Sequence, residues 1–118
     1  MKALKIGIMR REQFQLRLLA IASGKIIPKR GEPKIWFSSM KSLSEVLSDN
    51  NVRLLHLIKE HRPETMGELA RLSGRQTSNL SRTLKTMEKY GIVELRKRDH
   101  SVKPIVKATS FDIQYASE

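Results

Sequence analysis

The stretch that decides the fold reads Thr65-Met-Gly-Glu-Leu-Ala-Arg-Leu-Ser-Gly74, then Arg75-Gln-Thr-Ser-Asn-Leu-Ser-Arg-Thr-Leu-Lys-Thr-Met-Glu-Lys-Tyr-Gly91. Thr65 and Glu68 match a T-x-x-E capping box, which predicts that a short helix begins at Thr65. Ser73-Gly74 predicts its end, because glycine readily adopts the left-handed conformation. A second helix is predicted from about residues 76–78 to Gly91. Two helices joined by a tight turn that contains glycine are typical of a helix-turn-helix unit.

The second predicted helix has two chemically different faces. At about 100° per residue, Leu80, Leu84 and Met87 fall on one narrow stripe, which is typical of a core-facing side. The opposite side is basic and rich in hydroxyl groups: Ser78, Arg82, Lys85 and Lys89, with Asn79 and Ser81 on its flanks and Arg75 joining at the start. Most charged helix faces are simply solvated. Here the helix's one acidic residue, Glu88, lies off this face, which favours a role in binding anions.

A short basic hairpin is predicted directly after the second helix. Val93 and Leu95 alternate with polar neighbours, which is the pattern of a half-buried strand. Residues 98–101 are polar and suit a turn, and residues 102–109 can return as a second strand. Pro104 has no amide hydrogen to donate, so this second strand is predicted to lie at an edge.

The residues at the start of the second helix and before the hairpin match a known sequence pattern. They are Gly74, Thr77, Ser78, Leu80, Ser81, Arg82 and Leu84, followed by Gly91-Ile-Val93. In these residues the chain resembles winged helix-turn-helix regulators of the MarR and ArsR type, over residues 48–109. The resemblance implies a mainly α fold with a small β-hairpin wing, in which the second helix recognises DNA.

Further segments are Pro33-Lys-Ile-Trp-Phe37, Val46-Leu-Ser-Asp-Asn-Asn51, Ser78-Asn-Leu-Ser-Arg-Thr-Leu-Lys85 and Lys103-Pro-x-Val-x-Ala108. In them the chain is similar to small prokaryotic DNA-binding proteins that are often encoded beside a toxin-like partner. This resemblance implies an antitoxin of a toxin-antitoxin system, which represses its own operon and binds a cognate toxin protein.

The charge, hydropathy and cysteine content of the sequence indicate which kinds of partner the protein can have. The 118 residues carry a net charge of +11, concentrated in residues 1–37 (nine basic, two acidic) and 71–107 (ten basic, three acidic). Such blocks attract polyanions, of which nucleic acid is the usual one. No apolar run is long enough to span a membrane, and no membrane partner is expected. Without cysteine there is no disulfide framework or thiolate metal site, which agrees with a cytoplasmic protein.

Three segments are expected along the chain. Residues 1–37 form an N-terminal strand/helix arm: a strand over Leu4, Ile6 and Ile8, a helix over residues 10–23, and a basic linker over residues 25–34 that is either a spacer or a DNA-backbone contact. Residues 38–109 form the winged domain, with a capping box at Ser42-x-x-Glu45 and a helix from Ser48-Asp49 to His61. Residues 110–118 form a terminal strand that can pair with the first one. The arm is expected to supply a dimer or partner contact through Phe14, Leu18, Ile21, Trp36 and Phe37.

Catalytic and metal-binding patterns are not found in the sequence. His56 and His61 lie about 140° apart on a helix and do not face one metal ion. There is no glycine-rich phosphate loop, nucleophile–base pair or carboxylate cluster. We therefore expect neither an enzyme nor a cofactor.

These observations predict a homodimeric repressor of transcription that binds double-stranded DNA and acts at the nucleoid in the cytoplasm. Base contacts are expected from Gln76, Ser78, Asn79 and Arg82, and phosphate contacts from Thr77, Ser81, Lys85 and Lys89. Arg75, at the start of this helix, is expected to be a further DNA-binding residue. The wing residues Arg96, Lys97, Arg98 and Lys103 should meet the backbone or the minor groove. Two alternatives stay open: an RNA-binding winged-helix module, and a protein-interaction module without nucleic-acid binding.

Overall fold

The computed structural model describes residues 2–115, which form five helices and five strands arranged in two sheets. In chain order they are β1 (Leu4–Ile8), α1 (Arg11–Ala22), β2 (Ile35–Phe37), α2 (Met40–Val46), α3 (Asp49–His61), α4 (Met66–Ser73), α5 (Thr77–Lys89), β3 (Val93–Arg98), β4 (Ser101–Val106) and β5 (Phe111–Tyr115). The predicted hairpin is present as β3 and β4. A second sheet, of three strands, makes the fold mixed α and β.

The two helices of the central stretch form where the sequence predicts them. The Thr65 hydroxyl accepts a hydrogen bond from the Glu68 amide at the start of α4. The Glu68 carboxylate accepts from the amide of Glu64 and not from that of Thr65, so the reciprocal half of the predicted capping box is shifted by one residue. Gly74 ends α4 with φ +72°, a conformation that costs glycine little. Three residues, 74–76, then connect α4 to α5.

The helices before that stretch are set by two serine caps. The Ser48 hydroxyl accepts from the amide of Asn51, and α3 runs to His61 as predicted. The predicted box at Ser42 and Glu45 is wrong, because α2 begins earlier, at Met40. Its cap is Ser39, whose hydroxyl accepts from the Ser42 amide while the Ser42 hydroxyl accepts from the Ser39 amide.

The main core lies between α3, α4, α5 and the hairpin. The predicted stripe of Leu80, Leu84 and Met87 is buried and confirms the inward face of α5. It packs in one cluster with Leu54, Leu55, Ile58, Leu69, Ile92, Val93 and Val106. The hairpin closes this cluster because Val93 pairs with Val106 at its base, while its far end extends into solvent.

The second sheet joins the two ends of the described chain. All its strands are parallel, in the order β2-β1-β5, with β1 at the centre. The predicted pairing of the terminal strand with the first strand is confirmed. The aromatic segment at residues 35–37 adds a strand that the sequence analysis did not predict. Ile6 and Ile8 become buried between neighbours on both sides, so the predicted arm is part of the folded unit and does not stand apart from it.

Phe37 and Trp36 lie on opposite sides of this sheet. Phe37 is 1% exposed and stacks on Tyr90, with ring centroids 4.1 Å apart, so its predicted role in a partner contact is wrong. The Trp36 ring lies over Gly7, where an added Cβ would overlap the ring. Trp36 also meets Phe14 of α1 at 6.0 Å between ring centroids. Glycine at position 7 is therefore what lets the indole lie flat on β1.

Helix α1 is present as predicted but is attached by few contacts. Phe14 rests on Trp36, the Arg17 guanidinium lies 5.6 Å from the Trp36 ring centroid, and Arg17 forms an ion pair with Glu32. No residue of α1 is buried, and Leu16 and Leu19 are 66% and 67% exposed. Within residues 2–115, no helix is long and apolar enough to cross a membrane.

Candidate nucleic-acid interface

The outward face of α5 carries a group of exposed basic and polar side chains. Because three apolar side chains hold the other face in the core, Ser78, Arg82, Lys85 and Lys89 are all exposed. None of these cations has an ion-pair partner among the described residues. Glu88 lies on the hairpin side, where its carboxylate accepts from the Leu95 amide at 3.1 Å. The face therefore keeps its full positive charge.

The N-terminal end of α5 adds polar groups to this face. Gln76, Thr77 and Asn79 are exposed, whereas Ser81 is half-buried. The first turn contains no acidic residue, and the Gln76 side chain makes no capping hydrogen bond within the described chain. The first amides of a helix have no partner inside the helix and carry partial positive charge. This end of α5 is thus suited to approach an anion.

Arg82 and Lys85 lie on different sides of the same face. Arg82 lines a shallow cleft of about 240 Å³ together with Glu45 of α2 and Thr83 and Thr86 of α5. Lys85 is one turn further along α5 and is exposed away from that cleft. The predicted base-reading arginine is therefore nearer to α2 than the helical projection alone suggested.

Arg75, which was predicted only as a DNA-binding residue, makes three hydrogen bonds within the chain. Its guanidinium donates to the Asn51 side-chain oxygen and to the Asn50 carbonyl, each at 3.0 Å, and to the Asn79 side-chain oxygen at 3.5 Å. The Asn51 amide in turn donates to the Val46 carbonyl at 3.0 Å. Arg75 thereby ties the turn before α5 to the start of α3 and orients Asn79. Two adjacent asparagines after a helix cap were the available signal for this contact.

A wide cleft extends the polar surface beyond α5. It encloses about 690 Å³ beside the turn between α4 and α5. Its polar lining comes from Ser48, Asn50, Asn51, Arg53, Ser73, Arg75 and Asn79. The Arg53 guanidinium donates to the Asn50 side chain at 2.7 Å. Sequence reasoning did not include Arg53, which is exposed near the start of α3 and adds a cation to this surface.

Three of the four predicted wing cations have acidic partners. Arg98 and Lys103 both bind Glu64, at 3.0 and 3.1 Å, and Arg96 binds Glu94 at 2.7 Å. No ion pair of the described chain involves Lys97, which is exposed. Glu64 precedes α4 and is distant in sequence from the hairpin, so no local pattern indicated its position. The hairpin surface is less positive than its sequence alone implied.

The predicted contact residues of the N-terminal segment lie mostly together. Phe14, Leu18, Ile21 and Trp36 line one cleft of about 310 Å³ beside the loop that carries Lys29 and Lys34. Phe37 is on the other side of the sheet, as described above. Within residues 2–115 no three His, Cys, Asp or Glu side chains are grouped closely enough to hold a metal ion.

Comparison with known proteins identifies the family. A match to the family described as HVO_A0114 covers residues 46–113, more than half of the chain. The chain belongs to the HVO_A0114 family. No curated protein matches the sequence, and no solved structure does either.

The HVO_A0114 match covers the helices and the hairpin that form the main core. It begins at the end of α2, includes all of α3, α4, α5 and the hairpin, and ends inside β5. It contains the polar face of α5, the wide cleft and the paired cations of the hairpin, and it leaves out α1, β1 and β2. The description of the HVO_A0114 family states no activity, and the basic face of α5 lies within the shared region.

Proposed function

We propose that the chain is a regulator of transcription, acting as a repressor, that binds duplex DNA through a winged helix-turn-helix unit formed by α3, α4, α5, β3 and β4. The observation that carries the proposal is the outward face of α5, where exposed cations and polar side chains form no ion pair with a described residue. The acidic residue beside it is Glu45 of α2, at the edge of the cleft that Arg82 lines. A buried apolar stripe holds that face in one orientation.

The dimensions of α5 suit the major groove of B-DNA. Thirteen residues extend about 20 Å, and a helix fits a groove that is about 12 Å wide. In this arrangement Gln76, Ser78, Asn79 and Arg82 face base edges, because recognition helices read bases with residues at their N-terminal end. Lys85 and Lys89 lie further along the helix and meet phosphates.

The surroundings of Arg75 and of the hairpin cations refine the proposed interface. Arg75 positions Asn79 from behind, so its contribution to base reading is indirect. Lys97 at the far end of β3 is the wing cation that is ready to meet the backbone. The other three wing cations must exchange a carboxylate for a phosphate when DNA binds.

Single-stranded nucleic acid is a poorer match for this surface. Proteins that bind single strands stack bases on exposed aromatic rings. The outward face of α5 contains no aromatic residue, and the half-buried ring of Tyr90, which follows α5, is stacked on the buried ring of Phe37. A duplex, which presents grooves and two phosphate backbones, uses the cations and polar groups that are present.

The test measures binding of the full chain to labelled duplexes by fluorescence anisotropy at several salt concentrations. Affinity for duplex DNA should fall with salt by about 0.9 log units per log salt for each phosphate contact. The double variant Lys85→Gln/Lys89→Gln should lower that slope by about 2. Lys41→Gln removes an exposed lysine from α2 and is the matched control, with an unchanged slope expected.

Each other outcome supports a different function. Tighter binding to duplex RNA than to duplex DNA would identify an RNA-binding module. No binding to either duplex at low salt would leave a protein-interaction module. Equal losses in the α5 double variant and in Lys41→Gln would mean that net charge, and not the face of α5, drives binding.

A further inference from the structure

Strand β5 is an edge of the three-stranded sheet and lacks the usual protection of an edge. In the order β2-β1-β5, one side of β5 pairs with β1, and its other side pairs with no described residue. Natural proteins protect such edges with short strands, prolines, lysines or covering elements. β5 is five residues long and contains neither proline nor lysine. Its one charged residue is Asp112, and the apolar residues Phe111, Ile113 and Tyr115 alternate along it.

The other strand edges of the described chain do have such features. β2 is only three residues long, and the loop before it contains Pro33. β4 contains Lys103 and Pro104, and β3 carries a run of three basic residues, 96–98. The unpaired side of β5 is therefore different from every other edge that the structure describes.

The apolar face of the sheet continues onto β5 and is open there. By register, Ile113 lies beside Ile6 and Tyr115 lies beside Ile8, so each pair shares a face. Ile6 and Ile8 are fully buried, whereas Ile113 is 45% and Tyr115 is 60% exposed. The residues of this face remain apolar on β5, but they are exposed there because nothing among the described residues covers them.

The sequence of β5 is complementary to itself in an antiparallel pairing. We propose that β5 pairs with β5 of a second copy of this chain, about a two-fold axis at Ile113. Phe111 then lies opposite the partner's Tyr115, and Ile113 lies opposite the partner's Ile113. Asp112 lies opposite the partner's Gln114, so no like charges face each other. Aromatic and β-branched cross-strand pairs stabilise antiparallel strands, and like charges directly opposite each other destabilise them.

A second copy fits this edge better than an unrelated strand because the pattern is symmetric. Apolar residues occupy positions 111, 113 and 115, and uncharged Gln114 mirrors Asp112 about the centre. The pairing gives an isologous interface, in which the two three-stranded sheets become one continuous six-stranded sheet. The open edge of β5 is then paired in each copy. This dimer does not depend on DNA binding, and it contains two copies of the basic face of α5.

Single-cysteine variants test the register, because the chain contains no cysteine. Directly opposite Cα atoms in antiparallel strands are about 4.5–5.5 Å apart, which a disulfide can span. Ile113→Cys should therefore form a disulfide-linked dimer under mild oxidation. Asp112→Cys is the control, since two such residues lie diagonally and beyond disulfide range. Equal cross-linking of both variants, or of neither, would overturn the proposed register.

Sedimentation of the full-length protein tests the interface itself. The wild type should sediment as a dimer. Ile113→Lys should raise the dissociation constant of the dimer about a hundredfold, because two ammonium groups then face each other at the axis. Leu19→Lys places the same charge on the exposed surface of α1 and should leave the dimer intact, with far-UV circular dichroism confirming that both variants fold. A monomeric wild type, or a dimer lost only in Leu19→Lys, would overturn the proposal.

Discussion

Helices α1 and α5 are nearly equal in length and opposite in burial. Seven of the twelve residues of α1 are apolar, yet none is buried. Only three of the thirteen residues of α5 are apolar, and all three are buried. The apolar residues of α5 repeat with the period of a helix and form one stripe, whereas those at residues 18–22 of α1 are consecutive and surround the helix.

The difference shows that the position of apolar residues, and not their number, decides which surface a helix leaves to solvent. Because α5 satisfies the core with one stripe, its remaining face is free to carry cations and amides. Because α1 cannot bury its leucines on one side, it leaves apolar surface open and holds to the sheet mainly through Phe14, Arg17 and Trp36. One helix therefore presents a basic surface and the other an apolar one.

The largest expected effect is on stability. Leu84→Ala should lower the free energy of unfolding by about 2–5 kcal/mol, because it leaves a cavity in the main core. Leu19→Ala in α1 is the matched control and should change it by less than about 0.5 kcal/mol. Chemical denaturation followed by circular dichroism measures both. Similar losses in the two variants would show that α1 is buried in solution.

A smaller effect is expected on DNA recognition. Arg82→Ala should weaken binding to the preferred sequence by about 1–3 kcal/mol and reduce discrimination at one position. Arg11→Ala removes an exposed arginine from α1 and should leave both quantities unchanged. Selection of bound duplexes from a random pool, followed by titration of the best site, measures both. If Arg11 and Arg82 contribute equally, the basic surface is not confined to α5.

The smallest effect concerns how far the basic surface of α5 extends onto the hairpin. Glu64→Gln removes the carboxylate that Arg98 and Lys103 share, so both cations can bind phosphate without losing a partner. Affinity for duplex DNA at low salt should rise about two- to fivefold, since exposed ion pairs are weak. Glu60→Gln, an exposed acid on α3, is the control for net charge. A lower affinity in Glu64→Gln would mean that Glu64 instead holds the hairpin in its binding position.

Much of the candidate interface could be predicted from local patterns in the sequence. The start of α3 at Ser48, the buried stripe of α5 and the hairpin after Gly91 were all predicted and are all present. Each depends on residues that are three or four positions apart in a helix, or adjacent in a hairpin. Such contacts form between neighbours in the chain, so the spacing of residue types is enough to indicate them.

The sequence by itself determined the basic face of α5, because an apolar stripe at helical spacing leaves only one orientation for the cations. Tertiary structure alone decided that Phe37 is buried on Tyr90, that Arg75 binds Asn50 and Asn51, and that Glu64 binds two cations of the hairpin. It also decided that β2 joins the other side of β1 and that all three strands are parallel. These contacts join residues from 24 to more than 100 positions apart. Parallel strands and distant ion pairs have no local spacing rule, since their partners come from distant parts of the chain.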